Sequence, residues 1–175
     1  MITVGTDTYV TVSDANAYLS QKYLSSDERL VQWNALADED KEVYLRNACD
    51  AINSVKYRGV TYVALQKLAF PRYFGEQYAM AYRTLIAPLT YLYPELEDVP
   101  NEVIAAQCEE ALEIACPSED TATHEAVNGA VSHYSIGHLS ETFKNVGDGS
   151  LEANVRSNKA RKLLEQYAEG FYDII

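Results

Sequence analysis

Two apolar stripes at helical spacing constrain this chain more than any other feature. Leu45, Ala48, Ile52 and Val55 recur at steps of three and four, and so do Ile104, Cys108, Ala111 and Ala115. A helix with such a side must bury it against another element. The 175 residues suffice for one domain, since a chain of that size hides about two-thirds of the surface its unfolded form exposes. With 47% hydrophobic and 23% charged residues, the composition is globular, which excludes a disordered tail, a collagen-like repeat and a low-complexity linker. Nothing approaches the roughly 18 consecutive apolar residues needed to cross a bilayer. Met1 to Gly5 shows no basic region and no apolar stretch, so no signal peptide is expected and the chain is expected to be made in the cytoplasm.

Punctuation around the stripes predicts the remaining elements. Thr8 to Val12 reads as a short strand or extended arm, and Ser13 as the cap of a helix running to about Tyr23. Ala15, Tyr18 and Leu19 share one face of that helix. Glu28 to Leu36 forms a second helix carrying Leu30, Val31 and Trp33. Asp38 caps a third, which stops near Tyr57 to Gly59, with Gly59 in a left-handed terminal position. Gly59 to Leu68 is strand or loop, and Pro71 holds Phe70 extended. Tyr73 to Glu97 is a tyrosine-rich excursion with a helical turn around Ala79 to Leu85. Pro100 opens a fourth helix and Pro117 ends it. Val131 to Ile136 and His138 to Phe143 are extended stretches broken by Gly137, and Asn145 to Ser150 is turn chemistry. Arg156 to about Tyr172 returns to helix. The expected fold is mainly α, a helical bundle of four to five helices with a small β-hairpin or strand pair and an extended C-terminal segment. One domain covers 1–175, with a helical core at about 13–117, a strand pair at about 130–143 and a C-terminal helix at about 155–172.

Charge narrows the partners. The formal net charge is −12, from 26 acidic and 14 basic residues. That argues against wrapping nucleic acid, whose affinity comes mainly from basic groups displacing counterions, and it also fits plain solubility. Fourteen tyrosines accompany four phenylalanines and one tryptophan. Tyrosine gives contact area with a polar tip, so these rings suit interfaces as well as core edges.

A search for reactive machinery finds none of the phosphate-binding, dinucleotide, zinc-protease or nucleophile-elbow motifs. His133 and His138 flank Gly137 and face each other if the stretches form a hairpin, but they lack the Cys or carboxylate company of a metal site. Exposed strand histidines are the expected outcome. Asp148 between glycines lacks the regular oxygen spacing of a calcium loop. Asp38 to Asp40 reads as a cap plus first-turn acids, and Glu95, Glu97 and Asp98 do the same for the fourth helix. Glu109, Glu110 and Glu113 read as a solvated face. Cys49, Cys108 and Cys116 read as small buried residues. Phe70-Pro71-Arg72 is the most specific tripeptide, with the ring and the proline docked on the third helix and the arginine pairing a carboxylate.

The order of these features is familiar. Tyr9 to Leu19, the Leu45, Ala48 and Ile52 stripe, Leu68 to Arg72, Val99 to Val103 leading into Ala106 to Leu112, a Gly137-containing strand pair and Leu163-Leu164 follow one another. Together they resemble the tailed-phage head–tail connector, or adaptor, proteins, some of which are labelled DnaT-like single-stranded-DNA-binding proteins. The resemblance implies a homo-oligomeric ring, typically of twelve copies, in the virion beneath the portal protein. It also implies a DNA channel continued toward the tail, a docking surface for a stopper or tail-completion protein, and no catalytic residue, cofactor, metal or membrane. Phe70, Pro71, Arg72, Pro100 and Gly137 match the family pattern and look architectural. Phe171, Tyr172, Ile174 and Ile175 form an apolar terminus, a candidate interface with a neighbour or the portal. The competing readings are a single-stranded-DNA-binding protein, for which the densest basic cluster is Arg156, Lys159, Arg161 and Lys162, and a small enzyme with an unrecognised site.

Overall fold

A computed structural model describes residues 1–62, 65–74, 98–118, 133–136, 139–142 and 151–169. Its helices are α1 (Val12–Lys22), α2 (Glu28–Ala35), α3 (Asp38–Asn53), α4 (Asn101–Ala115), α5 (Leu151–Asn154) and α6 (Asn158–Leu164). Two short antiparallel pairs join them: β1 (Val60–Thr61) with β2 (Arg72–Tyr73), and β3 (His133–Ile136) with β4 (Leu139–Thr142). The protein is mainly helical with a small hairpin, as the periodicity predicts.

Local chemistry sets the helix ends. Thr11, not Ser13, is the N-cap of α1, because its hydroxyl reaches the Asp14 amide at 3.1 Å. Asp27 caps α2 by accepting from the amides of Arg29 and Leu30. Ala37 occupies the N-cap of α3 without a side-chain bond, so Asp38 lies inside the helix, and Asp38, Glu39 and Asp40 offset the exposed amide ends by charge alone. That helix ends at Asn53, earlier than expected. Gly59 does take a positive φ of 75°, but for close approach: a Cβ there would lie 1.9 Å from the Tyr73 carbonyl oxygen. Pro100 is the N-cap of α4, one residue before the helix, and its carbonyl accepts from Val103 and Ile104. The C-terminal helix is shorter than expected: α6 starts at Asn158, capped by Ser157, and gives way to turns after Leu164.

Packing centres on α4, whose largest contacts are with α3 and α6. Two apolar clusters flank it. One joins Val10, Leu19, Leu30, Trp33, Leu45 and Ala48 to Cys108, Ala111 and Leu112. The other joins Tyr9, Ile52, Tyr57 and Phe70 to Val103, Ala106, Leu151 and Leu164. Each fully buried Leu or Ile contributes about 1.5–3 kcal/mol, so the stripes read from the sequence supply the main driving force. All three cysteines are buried and free.

Candidate functional site

Helix α4 is buried on its polar side as well as its apolar side. Gln107, Glu109, Glu110 and Glu113 are each at most 4% exposed, so the expected solvated acidic face does not exist. Val103 and Ala106 lie on the same side as Glu110, seven and four residues before it, and that interruption is the signal the sequence carried.

Each buried polar group has its own structural partner, as burial requires. Gln107 Oε1 accepts from the Tyr9 amide at 2.9 Å, while its Nε2 donates to Thr8 Oγ1 and to the Leu45 carbonyl. This latches the N-terminal arm onto α3. Glu109 accepts from the hydroxyls of Tyr18 and Tyr23, and Lys159 donates to the Tyr23 hydroxyl at 2.7 Å. Burial first, and Glu109 second, push both phenols well above their ordinary range. Glu110 accepts from the Arg156 and Ser157 amides at 2.9 and 2.8 Å, closing the start of α6. Burial raises its carboxyl above the usual range despite those two donors. Glu113 pairs with Arg29 at 2.6 Å and accepts from Ser118, and Arg29 Nε reaches the Cys116 carbonyl.

At the other end of the molecule the Phe70-Pro71-Arg72 tripeptide forms an aromatic knot. Phe70 is 2% exposed. Its ring centroid lies 4.8 Å from Tyr57 and 5.4 Å from Tyr167, both edge-on, and the Phe70–Pro71 bond is cis. The Phe70 amide donates to the Tyr9 hydroxyl, which donates to Asn53 Oδ1, and Ala69 donates to the same oxygen. Arg72 corrects the expected carboxylate pairing. Its guanidinium donates to the carbonyls of Tyr57, Arg58, Gly59 and Ala69, because this non-helical segment has carbonyls that no regular element satisfies.

The other site expectations fall out as follows. His133 pairs across the hairpin with Thr142 and Ile136 with Leu139, so a register that sets His133 opposite His138 is excluded. Gly137, His138, Phe171, Tyr172, Ile174, Ile175 and most of the Tyr73 to Glu97 excursion lie outside the described residues. The predicted basic cluster is split in use: Lys159 binds Tyr23, Arg161 donates to the Val155 carbonyl at 2.5 Å, and Lys162 is exposed. Among the described residues no group of three or more His, Cys, Asp or Glu side chains could hold a metal ion, and no helix is long and apolar enough to cross a membrane.

These features define a mainly α-helical protein whose buried acids and arginines tie irregular segments to a central helix. The chain belongs to the family described as "Putative DnaT-like ssDNA binding protein", whose family model matches residues 1–174. Comparison with curated proteins and with solved structures gave no match.

Proposed function

We propose that the chain is a non-catalytic, DNA-associated protein that binds single-stranded DNA. The observation that carries this reading is the family match over residues 1–174, whose description names such binding. A net charge of −12 requires the contact to be local, because the surface as a whole repels phosphate. Salt-dependent filter binding with a single-stranded oligonucleotide tests it. Micromolar or tighter binding that weakens steeply with salt is expected, and no retention at low salt would overturn it.

A second reading is favoured by the acidity and by the inward use of arginines such as Arg29 and Arg72. In it the chain is a subunit of a ring at a head–tail junction, docked beneath a portal protein and lining a channel that DNA crosses without being gripped. Here negative-stain images and the mass in solution, with and without portal, show closed rings, while oligonucleotide binding is weak. A monomer under both conditions would remove this reading.

A further inference from the structure

Helix α6 is a basic element in an acidic chain. Residues 153–164 hold Arg156, Lys159, Arg161 and Lys162 and no Asp or Glu, whereas acids outnumber bases 26 to 14 overall. Arg161 is turned to the Val155 carbonyl and to Asn158 Oδ1. The lysines are used differently. Lys159 and Lys162 lie three residues apart on α6, and both are exposed, so they are neighbours on one face of the helix. Neither belongs to an ion pair among the described residues, and like charges at that spacing repel each other.

Tyr23 fixes one of these ammonium groups. Lys159 Nζ donates to the Tyr23 hydroxyl at 2.7 Å and stands 4.2 Å from the centre of the ring. The hydroxyl itself donates to Glu109 Oε2, so its oxygen presents a lone pair to the ammonium. An ammonium has three donors, and this contact uses one. Lys22, the last residue of α1 and the chain neighbour of Tyr23, is also exposed and outside every ion pair among the described residues. Most nearby acids are already engaged. Glu109 is 2% exposed and accepts from the two phenols, Glu113 pairs with Arg29, and Asp27 accepts from two amides of α2. Glu28 is exposed at the start of α2, and Glu165 is half-buried one turn past Lys162. These two acids confine the patch to the three lysines.

We propose that Lys159, Lys162 and Lys22 take backbone phosphates of single-stranded DNA, with Tyr23 holding the Lys159 ammonium in place. This site rests on the single-strand reading above, which supplies the identity of the polyanion, while the geometry supplies the location. The test is fluorescence anisotropy of a labelled oligothymidine titrated with the full chain at several salt concentrations. Three phosphate contacts on a single strand predict that log K falls against log salt with a slope of about two. Lys159→Gln and Lys162→Gln should each lower that slope by about 0.7, and Lys162→Arg should keep it. Tyr23→Phe releases the ammonium but leaves its charge, so binding should weaken about threefold with the slope unchanged. Lys67→Gln, at an exposed lysine before Phe70, is the control and should match wild type. Circular dichroism checks that each variant is folded, and the exposed Lys162 keeps the test open even if Lys159→Gln loosens α6. If wild type binds and the Lys159 and Lys162 variants keep both affinity and slope, this location is wrong and the single-strand reading survives. If wild type does not bind, both fall. If Lys67→Gln lowers the slope as much as the α6 variants do, the contact is spread over the surface and the proposal is overturned.

Discussion

The two apolar clusters on either side of α4 are built in different ways. The cluster around Trp33 and Leu45 is assembled from α1, α2, the middle of α3 and the second half of α4. Its members are mostly regular helices that satisfy most of their own backbone, so its polar ties run chiefly between side chains of neighbouring helices, as from Tyr18 to Glu109 and from Arg29 to Glu113. One notable side-chain tie is Trp33 Nε1 to Asn16 Oδ1 at 2.8 Å. The cluster around Phe70 draws on Tyr9, the end of α3, Val55, Tyr57, Leu68, the start of α4, Leu151, Val155, Ala160, Leu164 and Ala168. Much of that chain is non-helical, and its amides and carbonyls need side chains. Asn53, Tyr9, Arg72 and Glu110 supply them. Polar residues that look functional in the sequence are therefore structural where the chain is irregular.

That contrast can be broken or sharpened. The largest effect is expected for Phe70→Ala, about 3–5 kcal/mol of stability by urea denaturation. Hydrogen exchange should loosen residues 56–58 and 167–169 before α1 and α2, and equal loosening of all would dissolve the distinction. Glu110→Ala should follow at about 2–3 kcal/mol, because it strips the acceptor from the part-buried Arg156 amide and the buried Ser157 amide.

The same residue makes a pH prediction. A carboxyl raised in the folded state takes up a proton more readily there than in the unfolded chain. Its stabilising contribution is thus complete below the ordinary Glu range and is lost as pH rises through the raised value. Glu110→Gln should remove that falling component, so wild type gains on the variant as pH is lowered toward the ordinary range. A difference that is constant with pH would show the carboxyl is not shifted.

Asn53→Ala, which leaves the Ala69 amide and the Tyr9 hydroxyl proton without an acceptor, should cost about 1–3 kcal/mol, read by thermal or urea unfolding. Tyr23→Phe should cost least, about 1 kcal/mol, since Glu109 keeps its bond from Tyr18. A larger loss would mean that the Lys159–Tyr23–Glu109 chain holds α6 as firmly as Glu110 does.

Much of the helical frame was legible in residue order. The stripes of α3 and α4, the acids of the α3 first turn and the short α2 were all readable, because helical period and end charges are local properties. The candidate site was less legible. The tripeptide pattern suggests that Arg72 is half of an ion pair, and the guanidinium serves four carbonyls instead. Glu109, Glu110 and Glu113 look solvated in the sequence, since a glutamate run on a helix carries no mark of what packs over it. The Lys159–Tyr23 contact joins residues far apart in the chain, and no local pattern announces it.

By itself, then, the order of amino acids determined where helices form, that two of them must bury a side, and that the chain is strongly acidic. Only the tertiary structure decided that α4 would be enclosed all round and that Arg72 would serve backbone carbonyls. Helical period and end charge act between neighbours a few residues apart. Desolvation and hydrogen-bond demand act between whatever segments are finally brought together, and those segments are known only once the chain has folded.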